Sequence, residues 1–282
     1  MENHENSGVQ PKTMGSGENP DRLRCEMDQI IFKNEFFINE RTIKDLLINQ
    51  TQSDREPPPS SKYTLCEVDF VTKPDSHLER LLKHTKPFKY NDDLDQHKDN
   101  RYHGPLYVLA ENSVYVGQMN SDVREGKGIQ FFQDGSYYEG YFVNDSANRK
   151  GRLIFCDGDM FIGELTDNSM NGTGVYYKKD GSKYTGTFIN DLPQGEGKEE
   201  WEDGSIYKGN YSNGCKNAYG EFKFANGTKY VGSFENDIFN GRGTLCKSDG
   251  TSYEGNWLNG NLKSPAKINY PNGNYFEGEV SN

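Results

Sequence analysis

The sequence has few of the residues from which active sites are built. All five of its histidines precede residue 104, so the rest of the chain lacks an ordinary general base with a pKa near 7. No Cys-x-x-Cys or His-x-x-x-His pair occurs, although zinc sites commonly use such spacings. The acidic clusters also lack the twelve-residue ligand spacing of an EF-hand. We therefore expect no enzyme activity, no cofactor and no metal site.

The chain is also poor in apolar residues. Only 32% of its 282 residues are hydrophobic, and no stretch approaches 18 consecutive apolar residues. The opening segment from Met1 to Pro20 is polar and lacks the apolar stretch of a secretory signal. The five cysteines are odd in number, which favours free thiols in a reducing compartment. These features predict a cytoplasmic protein without a membrane span.

From Tyr115 onwards, the sequence has an aromatic residue at every 23rd position. We call these eight residues the rungs: Tyr115, Tyr138, Phe161, Tyr184, Tyr207, Tyr230, Tyr253 and Phe276. A glycine follows each rung by two positions, and a second large, mostly apolar residue, the follower, stands four positions after it. For Tyr184 these residues are Gly186 and Phe188. A fixed period of this length is typical of repeat arrays, in which each unit packs mainly against its neighbours.

An Asp-Gly or Asn-Gly pair recurs in the same register. Such pairs predict tight hairpins with type I′ turns, because Asp, Asn and Gly tolerate the positive φ that both central residues need. Longer polar loops, such as Asn190 to Gln194 and Asn236 to Asn240, are predicted to join one hairpin to the next. The predicted turn glycines are Gly135, Gly158, Gly181, Gly204, Gly227, Gly250 and Gly273.

The predicted fold class is therefore all-β: an elongated single antiparallel sheet of about seven 23-residue hairpins. The rung, its glycine and its follower are separated by even numbers, so we expect all three on one face of the strand. The glycine would leave room there for a neighbouring ring.

This pattern resembles the MORN repeat. The unit that runs from Tyr184-Thr-Gly186-Thr-Phe188 through Gly195-Glu-Gly197 to Asp203-Gly204 matches the family pattern nearly position by position. The resemblance covers about Tyr102 to Asn282, and Pro105 to Val114 is interpreted as the second half of a preceding repeat. The departures from the pattern are Asn148-Arg149, Asn217-Ala218 and Ser264-Pro265-Ala266, which stand in place of Gly-x-Gly glycines.

Residues 1–101 are predicted to form an arm that is separate from the array of residues 102–282. The opening segment, Met1 to Pro20, is expected to be disordered. Two short helices are expected, one capped by Asn39 and one capped by Asp75 or Ser76, with a stiff linker at Pro57-Pro58-Pro59 between them. We expect the arm to dock either on a partner or on the array itself.

The resemblance implies a non-enzymatic structural scaffold that binds other proteins in a large cytoskeletal assembly. Repeats-plus-tail chains of this kind resemble components of ciliary axonemes, notably radial-spoke heads, and of cytoskeletal collars, with a homodimer through the terminal repeats as one arrangement. The alternative is a peripheral membrane or phosphoinositide-associated adaptor. From Pro105 onwards, 17 Lys and Arg residues stand against 24 Asp and Glu residues, a net charge of −7. This charge disfavours both anionic membranes and nucleic acid.

Aromatic residues of the central repeats are the candidates for contact with a partner. The alternative for each is a place in the core of the sheet, packed by its neighbours. The candidates are Tyr184, Phe188, Trp201, Tyr207, Tyr211, Phe224 and Trp257.

Overall fold

The computed structural model describes residues 88–90 and 113–280, together with the backbone of the strand residues 64–65, 102–103 and 107–108. These residues fall into two compact units, one that ends at Lys179 and one that begins at Asp180. The predicted arm helices near Asn39 and Asp75 lie outside the described residues. So does Arg101, the predicted end of the arm, and that boundary stays a prediction.

Both units consist of antiparallel strands, and the described residues contain no helix. The strands of the first unit are β1 (Thr64–Leu65), β2 (Tyr102–His103), β3 (Tyr107–Val108), β4 (Val114–Asn120), β5 (Val123–Phe131), β6 (Tyr137–Val143), β7 (Ser146–Ile154), β8 (Met160–Thr166) and β9 (Ser169–Tyr177). Those of the second are β10 (Lys183–Ile189), β11 (Leu192–Glu200), β12 (Ile206–Ser212), β13 (Cys215–Lys223), β14 (Lys229–Glu235), β15 (Ile238–Cys246), β16 (Ser252–Leu258), β17 (Asn261–Asn269) and β18 (Tyr275–Gly278). The predicted all-β class is confirmed.

Within each unit the long strands pair in chain order. In the second unit, for example, Tyr184 of β10 pairs with Glu199 of β11, which in turn pairs with Tyr207 of β12. A seven-residue strand that carries the rung alternates with a nine-residue strand that carries the Gly-x-Gly segment. Each repeat thus contributes two strands, as predicted.

The two kinds of turn are the reverse of the prediction. The connections predicted as longer loops are two-residue turns with positive φ at both positions, for example Asn190 (47°) and Asp191 (69°). Asn and Asp tolerate this left-handed conformation, and it matches the twist of a hairpin. The type I′ turn therefore belongs to these residues. The prediction of a type I′ turn at the Asp-Gly pairs was wrong.

At each Asp-Gly pair only the glycine has positive φ. In the turn after β11, Gly204 has a φ of 85°, and its N–H donates to the Trp201 carbonyl at 3.0 Å. The Asp203 carboxylate accepts the Ser205 N–H at 2.9 Å. This bond to the backbone two residues on holds the aspartate in an ordinary turn conformation and leaves the left-handed position to glycine. The result is a hairpin whose loop has three residues and ends in a glycine bulge.

The Gly-x-Gly segment forms a bulge in every nine-residue strand from β5 to β15. The pairing of β10 with β11 shifts between Gly186 and Thr187, opposite Gly195, whose φ is 71°. At two of the three positions where this first glycine is lost, the replacing residue keeps the left-handed conformation: φ is 60° at Arg149 and 57° at Ala218. In both cases the side-chain oxygen of the preceding asparagine accepts the N–H of the replacing residue at 3.0 Å.

The rung, its glycine and its follower share one face, as predicted. We call this the front face of each unit and the opposite side the back face. A Cβ atom added to Gly186 would lie 2.3 Å from the hydroxyl oxygen of Tyr184, and one added to Gly197 would lie 2.6 Å from its Cε2. The ring therefore lies flat over both glycines, and its hydroxyl donates to the Thr187 carbonyl at 3.2 Å. Phe188 meets the ring edge to face, with centroids 5.1 Å apart.

In the first unit, segments that precede β4 in the chain pair with the sheet or pack on its back face. Strand β3 pairs with β4, as predicted for a half repeat, and Leu65 of β1 pairs with Tyr107 of β3. The ring of Tyr90 lies edge to face against that of Tyr141 at 5.4 Å, and its hydroxyl donates to the Gly128 carbonyl at 3.4 Å. Part of the predicted arm therefore packs on this unit.

Six consecutive residues of β6, from Tyr137 to Phe142, are buried, so both faces of this strand are covered. On its back face Glu139 and Arg152 form a buried ion pair, and the Tyr137 hydroxyl donates to Glu139 at 3.0 Å. The second unit differs. In β12, for example, Tyr207 and Tyr211 are buried on the front face, whereas Lys208 on the back face is exposed.

Candidate partner-binding surface

The most deeply buried charges of the second unit lie among its front-face aromatic residues. Lys216 is fully buried, and its Nζ atom lies 3.0 Å from Oε2 of Glu199 and 3.5 Å from Oδ1 of Asp237. Other repeats have Pro193 or Phe239 at the position of Lys216. A buried charge of this kind persists only when it is paired and hydrogen-bonded.

Aromatic rings enclose the Lys216 ammonium group. Its Nζ atom lies 5.0 Å from the ring centre of Trp201, 5.4 Å from that of Tyr207 and 5.8 Å from that of Tyr211. The Tyr211 hydroxyl donates to Oε2 of Glu199 at 3.1 Å. Loss of hydration on burial raises the pKa of Tyr211 far above its ordinary value, and the negative charge of Glu199 raises it further. Tyr211 is therefore a neutral hydrogen-bond donor, and the cluster supports the fold.

Arg124 occupies the equivalent position in the first unit. Its guanidinium carbon lies 5.1 Å from the ring centre of Phe142, and its Nε atom lies 3.3 Å from Oδ1 of Asp145. Asp145 follows Arg124 at the same separation along the chain as Asp237 follows Lys216. Sequence reasoning missed both pairs. This shared spacing, at a position that is otherwise mostly apolar, is the signal that could have revealed them.

Three aromatic side chains of the second unit keep ring surface in solvent at the Asp-Gly and Asn-Gly turns: Trp201 and Phe224 are half-buried, and Tyr270 is exposed. Trp201 and Phe224 each precede a turn glycine by three positions, one repeat apart. The buried ring of Phe222 stacks on Trp201, with centroids 5.2 Å apart, and lies 4.3 Å from Phe224. We call Trp201 and Phe224 the turn-edge aromatic pair. The core of the sheet covers each of these two rings only in part.

Acidic residues border this pair. Asp180, Glu202 and Asp203 are exposed at the two turns on either side of Trp201. The Glu202 Cβ atom would lie 3.4 Å from a Cβ atom added to Gly181, which places Glu202 beside the preceding turn. At the next turn beyond Phe224, the exposed Lys247 lies over the ring of Tyr253 at 4.9 Å. The turn at Trp201 is thus negative and aromatic, whereas Asp180 follows Lys178 and the exposed Lys179 in the sequence.

The structure separates the seven predicted partner-binding residues into two groups. Five are buried by their neighbours and are at most 7% exposed: Tyr184, Phe188, Tyr207, Tyr211 and Trp257. Burial favours a core role for these five. Trp201 and Phe224 are half-exposed, and a role in partner binding stays a proposal for them. The seven predicted turn glycines all have positive φ, between 84° and 101°.

The part of the chain that the structure describes contains no helix that could span a membrane. Among the same residues, no group of three or more His, Cys, Asp or Glu side chains is placed to hold a metal ion.

Comparison with known proteins identifies a repeat family. Seven consecutive segments match the family model of the MORN repeat, at residues 115–137, 138–160, 161–183, 184–206, 207–229, 230–252 and 253–275. No curated protein matches the chain.

Similar solved structures include a TCP domain of Drosophila melanogaster SAS-4 (dCPAP), in complex with a proline-rich motif of Ana2 (dSTIL). It is 15% identical with a TM-score of 0.36, and the match covers 55% of this chain and 85% of that chain. The wild-type TCP10 domain of Danio rerio CPAP is 12% identical with a TM-score of 0.33, and its match covers 62% of this chain and 88% of that one. TM-scores this low do not establish a shared fold.

Proposed function

The chain belongs to the MORN-repeat family, and we propose that it is a non-enzymatic scaffold that binds other proteins in a cytoskeletal assembly. The turn-edge aromatic pair is the contact surface in this proposal. In its finer form the proposal places the chain in a ciliary axonemal complex of the radial-spoke type, with a homodimer through the terminal repeats. That finer form depends on the likeness of repeats-plus-tail chains to such components.

One observation carries the proposal. The rungs Tyr184, Tyr207 and Tyr230 are buried by residues of their own and the next repeat. By contrast, Trp201 and Phe224 keep part of their rings in solvent at equivalent positions of successive repeats. Exposed aromatic residues that lie close together are typical anchors of protein interfaces. The array therefore needs no ligand to complete its core and still presents apolar surface to a partner.

The charge of the second unit supports a protein partner over a membrane. Lys178, Lys179 and Lys183 are the only local concentration of basic residues in the array. The Nζ atom of Lys183 pairs with Oε2 of Glu200 at 2.9 Å. Binding to an anionic leaflet depends on basic clusters. The exposed carboxylates of Glu202 and Asp203 beside Trp201 would repel such a surface.

Affinity purification of the tagged full-length chain from its native cell tests the proposal. The bait is compared with a Trp201→Ala/Phe224→Ala double variant, at moderate salt and with detergent. A stoichiometric set of cytoskeletal proteins on the wild-type bait and its loss from the double variant would support the scaffold and its contact surface. The matched control is Tyr270→Ala, which removes an exposed aromatic residue at the same register position two turns further on.

Two results would contradict the proposal. Recovery of the bait alone, with most of it floating with membranes before detergent is added, would favour the lipid-bound alternative. Equal recovery of the same partners by wild type and double variant would exclude the turn-edge aromatic pair as the contact surface. Axonemal proteins among the partners would support the finer form.

A further inference from the structure

We infer that the turn-edge aromatic pair binds an extended peptide that carries two arginines three positions apart. This inference rests on the proposed scaffold function and names the chemistry of the partner. The binding surface consists of Trp201 and Phe224 with the exposed carboxylates of Asp180, Glu202 and Asp203.

The spacing of the repeats determines the period of the peptide. Trp201 and Phe224 are equivalent residues that lie two strands apart in the second unit. Neighbouring strands are about 4.8 Å apart, so equivalent residues of successive repeats recur at about 9.6 Å. An extended peptide rises by about 3.3 Å per residue and spans about 9.9 Å in three residues. A peptide that runs across the strands therefore brings every third side chain to an equivalent position.

The chemistry of the surface selects a cation for those positions. An aromatic ring attracts a cation to its face, and a guanidinium group can also form paired hydrogen bonds with a carboxylate. At Trp201 the aromatic ring and the acidic residues Glu202 and Asp203 occur together. Arginine is the side chain that uses both at once.

The chain itself shows the same pairing of a cation with rings and acids. Lys216 lies among Trp201, Tyr207 and Tyr211 while it is paired with Glu199. In the first unit, the Arg124 guanidinium carbon lies 5.1 Å from the ring centre of Phe142, and its Nε atom is paired with Asp145. Lys216 is buried and Arg124 is half-buried, whereas Trp201 and Phe224 keep part of their ring surface in solvent. At Trp201 an external cation would thus meet the same two kinds of group, an aromatic ring and a carboxylate.

Tryptophan fluorescence gives a direct measurement of binding. The chain has two tryptophans, and Trp257 is buried with its Nε1 atom donating to the Gly243 carbonyl at 3.0 Å. The full chain with Trp257→Phe, shown to be folded by circular dichroism, leaves Trp201 as the only indole. It is titrated with a nine-residue peptide that has arginine at positions 3 and 6 and alanine or proline elsewhere. An isomeric peptide with its two arginines adjacent has the same charge and composition.

The spaced peptide should shift the emission of Trp201 and bind about tenfold more tightly than the isomer, since the isomer can place only one arginine at the surface. In the same background, Phe224→Ala and Glu202→Gln should each weaken binding several-fold, whereas Tyr270→Ala should not. Equal affinity for the two peptides would overturn the proposed spacing. A shift of Trp201 emission by anionic vesicles or by single-stranded DNA, without one by the spaced peptide, would overturn the cationic partner.

The outcome is separable from that of the scaffold proposal. If the wild-type bait captures cytoskeletal proteins through the turn-edge aromatic pair but the spaced peptide does not bind, the scaffold stands and the arginine inference fails. If the bait captures no protein partner but the peptide binds as expected, the recognition chemistry stands and the proposed assembly fails.

Discussion

Lys216 and Glu199 form an ion pair in the front-face core of the second unit, with their Nζ and Oε2 atoms 3.0 Å apart and neither side chain more than 1% exposed. Glu199 stands where other repeats have Leu153, Phe222 or Leu245. The repeat can thus fill these positions with apolar residues, and this pair is a local alternative to an apolar core.

Loss of Lys216 alone should destabilise the second unit strongly. Lys216→Met leaves the buried carboxylates of Glu199 and Asp237 without their cation, and removal of one partner of a buried pair costs about 3–5 kcal/mol. The additional change Glu199→Leu should recover most of this loss. Urea unfolding followed by circular dichroism measures both effects, with Lys208→Met on the exposed back face as the control. A loss from Lys216→Met no larger than that of the control would show that the buried pair contributes nothing.

Addition of a methyl group beneath a rung should disrupt the ladder. In Gly186→Ala the new Cβ atom would lie 2.3 Å from the Tyr184 hydroxyl oxygen, so the ring must move, at a cost of about 2–3 kcal/mol in unfolding free energy. Gly255→Ala is the matched control, because the atoms nearest to its new Cβ atom would be Leu262 Cδ1 at 3.0 Å and those of Ala266 at 3.4 Å or more. Unfolding midpoints in urea should fall more for Gly186→Ala. The reverse order would refute the close packing of ring on glycine.

The Asp-Gly turn should tolerate asparagine but not valine at its glycine. Gly204 has a φ of 85° and no atom within 4 Å of an added Cβ, so only the backbone conformation restricts this position. Asparagine adopts left-handed φ far more readily than a β-branched residue does. Gly204→Val should therefore lower the unfolding free energy by about 2 kcal/mol and Gly204→Asn by clearly less. An unchanged unfolding profile for Gly204→Val would be incompatible with the observed turn.

The rung tyrosines should make the protein less stable in alkali. Burial raises the pKa of Tyr138, Tyr184, Tyr207 and Tyr230 above the ordinary value of 10. Above this ordinary pKa the unfolded chain releases these protons while the folded chain retains them. The stabilisation that the buried, protonated tyrosines contribute is therefore fully present below about pH 10 and is lost as the pH rises further.

Tyr207→Phe isolates one of these groups. It removes the hydrogen bond from the Tyr207 hydroxyl to the Asn210 carbonyl at 3.0 Å, which should cost about 1 kcal/mol near neutral pH. The variant lacks the titrating group, so the difference in urea midpoint between wild type and variant should shrink between about pH 8 and pH 11. A difference that stays constant across this range would contradict the raised pKa of Tyr207. Phe161 shows that the ladder accepts a phenylalanine rung.

Removal of Tyr90 should loosen the first unit. Tyr90→Ala eliminates the ring contact with Tyr141 and the hydrogen bond to Gly128, and truncation of a large packed side chain costs about 3 kcal/mol. Hydrogen exchange of the amides in β5 and β6 should become faster. Lys89→Ala is the control, since Lys89 is exposed in the same segment. Equal exchange in the two variants would mean that Tyr90 does not stabilise the back face.

The alternation of side chains along a strand explains why the sequence predicted the front face correctly. Tyr184, Gly186 and Phe188 had to share a face because they lie an even number of residues apart, and each glycine had to leave space for a ring. The assignment of turn types failed for an equally local reason. Asp-Gly suits two hairpin geometries, and the bond from Asp203 to Ser205 favours the one with an ordinary aspartate conformation.

The sequence by itself determined the 23-residue period, the antiparallel hairpins and the residues that form the ladder, because these depend on spacing and backbone preference within one repeat. Only the tertiary structure decided which aromatic residues are buried, since Tyr207 and Trp201 differ in what neighbouring strands place over them. It also decided that Lys216 lies inside the core and that Tyr90 covers the back face of the first unit. Both depend on partners that are distant along the chain, Asp237 for Lys216 and Tyr141 for Tyr90, and local sequence preference carries no information about such contacts.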